Sequence, residues 1–134
     1  MQAPAILGFD TGFFRRFREG VPRAVDAWTA VQKGSAEGVV SCVTLYELEK
    51  LGLRGVIPQA DADGIIRFLP YMCRVVWLDS LAPLSRGARL AHGLGMSMAD
   101  SLILSALLDA GASTIYSTDS DFDRYEGPVE IVRL

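Results

Sequence analysis

The sequence has one histidine, two cysteines and no long apolar run, and each shortage closes off a class of protein. A single histidine, His92, excludes any mechanism that needs two and disfavours a Ser-His-Asp triad. Set in a helical segment near Gly93, it reads as a surface or packing residue. Cys42 and Cys73 stand in apolar surroundings without metal-ligand spacing. They read as buried free thiols rather than a disulfide or a zinc site, which suits a reducing cytoplasm. No apolar stretch approaches the roughly 20 residues that span a bilayer. The run from Ala3 to Phe9 is short, lacks a basic start and ends at Asp10, so neither a signal peptide nor a membrane segment is expected. Repeats, low-complexity tracts and linkers rich in Pro, Gly and Ser are also missing, and a single domain over 1–134 is the expectation.

Half of the residues are hydrophobic, enough for a substantial core in a chain of 134. The formal net charge is -3, against the basic balance usual in dedicated nucleic-acid binders. The charge is unevenly spread: Arg15, Arg16, Arg18 and Arg23 lie close together early, while Asp119, Asp121, Asp123 and Glu126 crowd a late segment. An acidic pocket beside a basic rim fits this distribution, and so does a solvated arginine face.

Short apolar runs alternate with helical spacing along the chain. Ile6 to Phe9 reads as a buried strand ending at Asp10, and Phe13 to Arg18 as a short helix. A second helix opens at Pro22 and stops at Gly34. Val39 and Val40 mark the second strand. Leu45, Leu48, Leu51 and Leu53 continue as a helix opened by Thr44, and another helix runs from about Gln59 to Pro70. Arg74 to Leu78 is the third strand by its β-branched and aromatic residues. Leu81 to Leu94 reads as helix, and Ser97 opens a helix ending near Gly111. Strands follow at Thr114 to Ser117 and Val129 to Val132. Strands separated by helices call for crossover connections, hence an α/β fold in three layers, α/β/α, with a mainly parallel central sheet.

Sites in such sheets form outside the carboxyl ends of the strands. Asp10 follows the first strand and Asp119 the fourth, while Glu47 and Asp100 lie near helix starts that face the same edge. Four acids in one pocket repel one another and raise their pKa values unless something positive joins them. No lysine or histidine stands beside any of the four in sequence. Hard cations such as Mg²⁺ or Mn²⁺ take carboxylate oxygens and water, and such a cage polarises a phosphodiester without a protein nucleophile. A competing explanation needs no chemistry. Thr44-x-x-Glu47 and Ser97-x-x-Asp100 both match the capping box, and Asp10 and Asp119 suit turns at strand ends. Spacing alone leaves both readings open.

Taken together, four segments resemble the PIN-domain family, in particular the VapC-type toxins of prokaryotic toxin–antitoxin pairs, over nearly the whole chain. They are Phe9-Asp10-Thr11, then Val43-Thr44-Leu45-Tyr46-Glu47-Leu48, then Gly95 to Ala106 around Asp100, and Ser117-Thr118-Asp119-Ser120-Asp121-Phe122. The resemblance implies a PIN-like Mg²⁺- or Mn²⁺-dependent ribonuclease with Asp10, Glu47, Asp100 and Asp119 as catalytic acids. Asp10, Asp100, Asp119 and Asp121 would hold the metal, and Thr11 and Ser117 would orient carboxylates or a bound water. It further implies an RNA substrate, a homodimer and a small antitoxin, with Arg15, Arg16 and Arg18 contacting RNA or antitoxin. Gly12 departs from the pattern, which often has a larger residue there. The alternative within the same fold is a catalytically silent RNA- or protein-binding module, which would be expected to have lost an acid. A haloacid-dehalogenase-like phosphotransferase would carry a second Asp where Gly12 stands, and a two-component receiver domain would carry a lysine after the fourth strand.

Overall fold

A computed structural model describes residues 3–134; residues 1 and 2 of the domain expected over 1–134 lie outside the described residues. The chain order is β1 (Ala5–Phe9), α1 (Thr11–Arg18), α2 (Pro22–Gln32), β2 (Ala36–Ser41), α3 (Cys42–Leu53) and α4 (Gln59–Met72). It continues with β3 (Cys73–Val76), α5 (Leu81–Leu94), α6 (Met98–Asp109), β4 (Thr114–Ser117), a 3-10 turn at Ser120–Arg124, and β5 (Glu130–Arg133). The strands form one sheet in the order β3-β2-β1-β4-β5, and every pairing is parallel. The α/β class read from the sequence is the fold observed.

The sheet separates two cores, because successive side chains of a strand point to opposite faces. Leu7, Phe9 and Val40 pack with α1 to α4, whereas Val39 and Ile115 pack with Ile103, Leu104 and Leu107 of α6. Moving outward from β1 to β2 and β3 puts α1 to α4 on one face. The return from β3 to β4 carries α5 and α6 over the other, as right-handed crossovers require. On the first face Phe9 and Phe13 stack with ring centroids 4.1 Å apart, and Phe14 meets Trp28 edge to face. Such pairs contribute about 0.5–1.5 kcal/mol each beyond the area they bury. They clamp α1 onto β1 and so hold Asp10, Thr11 and Gly12 at the sheet edge.

Several boundaries differ from expectation for local reasons. Helix α1 starts at Thr11 rather than Phe13, because the Asp10 side chain caps it. Helix α3 starts at Cys42, capped by Ser41, so Thr44 lies inside the helix and is fully buried. Helix α4 passes Pro70 and ends at Met72, losing one intrahelical bond in its last turn. β3 consequently begins at Cys73 and stops at Val76, short of Leu78. The last strand lies one residue later than Val129 to Val132. Cys42 and Cys73 are free thiols, Cys73 being buried and Cys42 partly so, and His92 is exposed. Among the described residues no helix is long and apolar enough to cross a membrane.

Candidate active site

Asp10 sits at the carboxyl end of β1. Its backbone N–H donates to the Tyr116 carbonyl at 3.1 Å, so pairing with β4 continues past the strand and sets Asp10 beside Ser117. The side chain is 4% exposed. Its Oδ1 accepts from the Phe13 N–H at 2.9 Å, and Oδ2 accepts from the Ser117 hydroxyl at 2.8 Å and the Thr118 N–H at 3.1 Å. Burial pushes this carboxyl above its ordinary range, against the pull of those three donors. Ser117 in turn accepts from the Asp119 N–H at 3.0 Å, so one buried hydroxyl joins two of the acids.

Glu47 is the sixth residue of α3, too far along to act in a capping box. Its Oε1 accepts instead from the Thr11 hydroxyl at 2.6 Å, and Thr44 Oγ1 lies 3.2 Å from the same hydroxyl. The competing reading of Thr44 and Glu47 as a capping box is therefore excluded: Ser41 caps α3, leaving Glu47 to bond with α1. At α6 the expectation is half met. Gly95, in the left-handed region at φ 68°, ends α5 and turns the chain so that Ser97 caps α6, its hydroxyl accepting from the Asp100 N–H at 3.2 Å. Among the described residues the Asp100 carboxyl makes no reverse bond to the Ser97 N–H.

The Asp100 carboxyl faces Asp119 and Asp121 instead, with one oxygen from each of the three within 4.8 Å of the others. Burial pushes Asp100 up to about 7, helped by its hydrogen bond with Asp119 and by the charges of Asp119 and Glu47. Asp119 is held below the usual carboxylate range, chiefly by the hydrogen bond from Asp100, with help from the Asp121 N–H. The two acids are therefore linked, the same contact pushing Asp100 up and holding Asp119 down. Carboxylate oxygens gathered this closely have the chemistry of a site for a hard divalent cation, and these residues fit Mg²⁺ or Mn²⁺. No cysteine or histidine joins the cluster, as zinc would prefer.

Asp10, Thr11, Glu47, Asp100, Thr118 and Asp119 line one pocket of about 240 Å³, so the four acids from four segments do meet. Asp121 lies at its margin, paired with Arg124 at 3.2 Å. The opposite rim is basic, formed by Arg15 of α1 with Lys50 and Arg54 at the end of α3. Lys50 and Arg54 escaped notice in the sequence because neither adjoins an acid of the site in a strand-end motif. Their signal is helical: Glu47, Lys50 and Arg54 recur three and four residues apart, along one face of α3. Of the three early arginines, only Arg15 reaches the pocket. Arg16 pairs with Glu19 at 3.0 Å, and Arg18 with Asp61 at 2.6 Å. Thr118 is a further lining residue that sequence reasoning passed over. Its hydroxyl fills the space where a side chain at residue 12 would stand, which accounts for Gly12.

No protein-family model matches the chain, and no curated protein matches it. Solved structures do. A chain of the VapBC2 complex from Rickettsia felis, bound to a DNA fragment from its promoter, superposes with a TM-score of 0.73 at 14% identity, covering 96% of this chain and 98% of that one. VapBC-1 from nontypeable Haemophilus influenzae gives 0.69 at 17% identity, with 96% and 97% covered. A toxin–antitoxin complex from Klebsiella pneumoniae gives 0.66 at 17% identity, with 95% and 99% covered. The likeness is one of fold, and it agrees with the PIN-like architecture to which the four motifs pointed.

Proposed function

We propose that this protein is a Mg²⁺- or Mn²⁺-dependent endoribonuclease, cutting RNA phosphodiester bonds in the cytoplasm as the toxin of a toxin–antitoxin pair. The observation that carries this reading is the meeting of Asp10, Glu47, Asp100 and Asp119 in one pocket, with Asp121 completing a close group of carboxylate oxygens around Asp100 and Asp119. Asp100, Asp119 and Asp121, whose oxygens converge, would hold the cation, with Asp10 beside them in the pocket as a further ligand. When bound, the cation polarises the phosphodiester and stabilises the leaving oxygen. Glu47, steadied by Thr11, takes the proton of the attacking water, and Ser117 keeps Asp10 oriented. Arg15, Lys50 and Arg54 are positioned to receive phosphate oxygens, which compensates locally for the chain's net acidity.

The solved structures of the same fold are toxin–antitoxin complexes, which supports an antitoxin partner here. An apolar groove between α1, α2 and α4, lined by Phe14, Phe17, Trp28, Ile65 and Phe68, suits the apolar face of such a partner's tail. Two copies of the chain form the working dimer. A silent binding module is the weaker reading, since no acid of the four is missing. A phosphotransferase using Asp10 as nucleophile is disfavoured by its burial and by the three donors already on its oxygens.

The test is cleavage of single-stranded RNA by the purified, partner-free protein in Mg²⁺ or Mn²⁺, with and without EDTA. Cleavage that stops in EDTA supports the reading, and cleavage at full rate in EDTA overturns it.

A further inference from the structure

The acid pocket has a second basic flank. A groove of about 550 Å³ lies between α5 and the 3-10 turn, lined by Arg86, Arg89, Leu90 and Leu94 on one side and Arg124 and Tyr125 on the other. Arg86 and Arg89 stand three residues apart on one face of α5, both exposed. Among the described residues neither forms an ion pair. Glu126 is the acid in this lining, and Asp109 lines a second depression that shares the same two arginines. Arg124 is fixed at the inner end. One guanidinium nitrogen donates to the Leu94 carbonyl at 2.8 Å and another pairs with Asp121 Oδ1 at 3.2 Å. Asp121 belongs to the acid cluster, so the groove begins where the acids end.

The two basic flanks belong to different helical layers. Arg15, Lys50 and Arg54 come from α1 and α3 on one face of the sheet, whereas Arg86 and Arg89 come from α5 on the other. The acids lie at the sheet edge between them. A polyanion held by both flanks must cross that edge, and a single RNA strand is the polyanion thin and flexible enough to follow it. Tyr125 borders the groove with the type of side chain on which an unpaired base stacks.

We propose that the α5 groove is the second half of the substrate track, binding the backbone of single-stranded RNA beyond the bond that is cut. This rests on the nuclease reading of the acid pocket, and makes the preferred substrate a strand long enough to reach both flanks.

The test uses the full chain and the double variant Arg86→Glu/Arg89→Glu, two positions outside the lining of the acid pocket. The substrates are a tetranucleotide and an unstructured oligouridine of about 20 nucleotides, longer than the single-strand site of one small binding fold. For the long RNA, KM should rise tenfold or more while kcat stays within about twofold, and the tetranucleotide should be cut as by the parent. The slope of log KM against log salt should become shallower by about 0.7 for each phosphate that the variant no longer neutralises. Arg86→Gln/Arg89→Gln, expected to act in the same direction with a smaller effect, guards against misfolding. Unchanged KM and salt slope on the long RNA would overturn the proposal while leaving the nuclease reading intact. If the parent cuts nothing, that reading fails, and anisotropy of fluorescein-labelled oligouridine still reads the groove: weaker binding by the variant upholds it and equal binding overturns it. Unchanged RNA binding together with loss of affinity for an acidic peptide would assign the groove to a protein partner, and that too overturns it.

Discussion

The Thr11 hydroxyl donates to Glu47 Oε1 at 2.6 Å, joining the start of α1 to the middle of α3 across 36 positions of sequence. It is the hydrogen bond that Glu47 receives among the described residues, and Thr44, buried beside it, limits how far Thr11 can turn.

Thr11→Val keeps the shape of the side chain and removes the donor. Stability should fall by only about 1 kcal/mol, the usual net contribution of one such bond. Cleavage should fall by more than tenfold, because Glu47 is then free to leave the pocket, and Thr11→Ser should restore most of it. Rates and melting temperatures of the three proteins decide the matter. A valine variant as active as the parent would show that Glu47 needs no positioning.

Asp100→Asn separates a metal ligand from a helix cap. The cap at α6 is made by the Ser97 hydroxyl and the Asp100 backbone N–H, neither of which the substitution removes. Taking away a carboxyl that is half-buried beside Asp119 and Glu47 should leave the metal-free protein at pH 8 as stable as the parent or more so. Cleavage should fall a hundredfold or more, about 3 kcal/mol of transition-state stabilisation. The rise in melting temperature on adding Mn²⁺ should shrink as well, since stabilisation follows affinity. A destabilised variant that still cuts RNA would return Asp100 to a capping role.

The same carboxyl sets a pH dependence. Burial and the neighbouring acids push the Asp100 carboxyl up to about 7 from 3.8 for the free group, so between those values the folded state holds more of the proton than the unfolded state does. Metal-free stability therefore falls as pH climbs from about 4 to about 7. Asp10, also raised, adds with the same sign. Asp119, held low, acts only below 3.8 and leaves this window untouched. A cation replaces the proton, so the melting-temperature rise in Mg²⁺ should be small near pH 5.5 and grow toward about pH 8. A cation effect of constant size across that range would refute competition between the cation and a proton on Asp100.

Gly12→Ala puts a methyl group where the Thr118 hydroxyl lies. Thr118 carries an N–H that Asp10 accepts, so pushing the two loops apart should weaken that bond and distort the pocket. A loss of about 1–3 kcal/mol is expected for such overpacking, together with reduced cleavage. Adding Thr118→Gly removes the obstruction and should recover part of both losses. Additive effects in the double variant would mean that the two residues do not compete for the same space.

Assembly is checked by sedimentation at micromolar concentration, where a dimer is expected. The apolar stretches of α3 and α4 do not all serve it, because Leu48 and Leu69 are buried in the chain's own core. Tyr46 and Leu53 on α3, with Tyr71 on α4, remain exposed outside the apolar groove and are available for pairing. Tyr71→Glu should then weaken a dimer without unfolding the subunit. Sedimentation of the parent as a monomer only would exclude the assembly.

The order of elements, the α/β class and the location of Asp10 and Asp119 after strands were determined by the sequence alone, because each depends on local spacing. Apolar runs, helical periodicity and punctuation by Gly and Pro act over a few residues, and so they can be read along the chain. What only the tertiary structure decided is which of those residues meet. The Ser117 hydroxyl reaches Asp10 across 107 positions, a bond that exists only because β4 returns to pair with β1. That return also brings Asp119 and Asp121 against Asp100, and so helps to push the Asp100 carboxyl up. The cap of α3 shows the limit from the other side: Thr44 and Ser41 both have a capping hydroxyl, and the end of β2 selects Ser41. The basic rim was hidden for the same reason, since Lys50, Arg54 and Arg15 are ordinary helix-surface cations until packing of α1 and α3 aims them at the acids. Local spacing encodes elements, whereas the crossovers that set the neighbours of each element are chosen by burial of whole faces, which no short stretch of sequence carries.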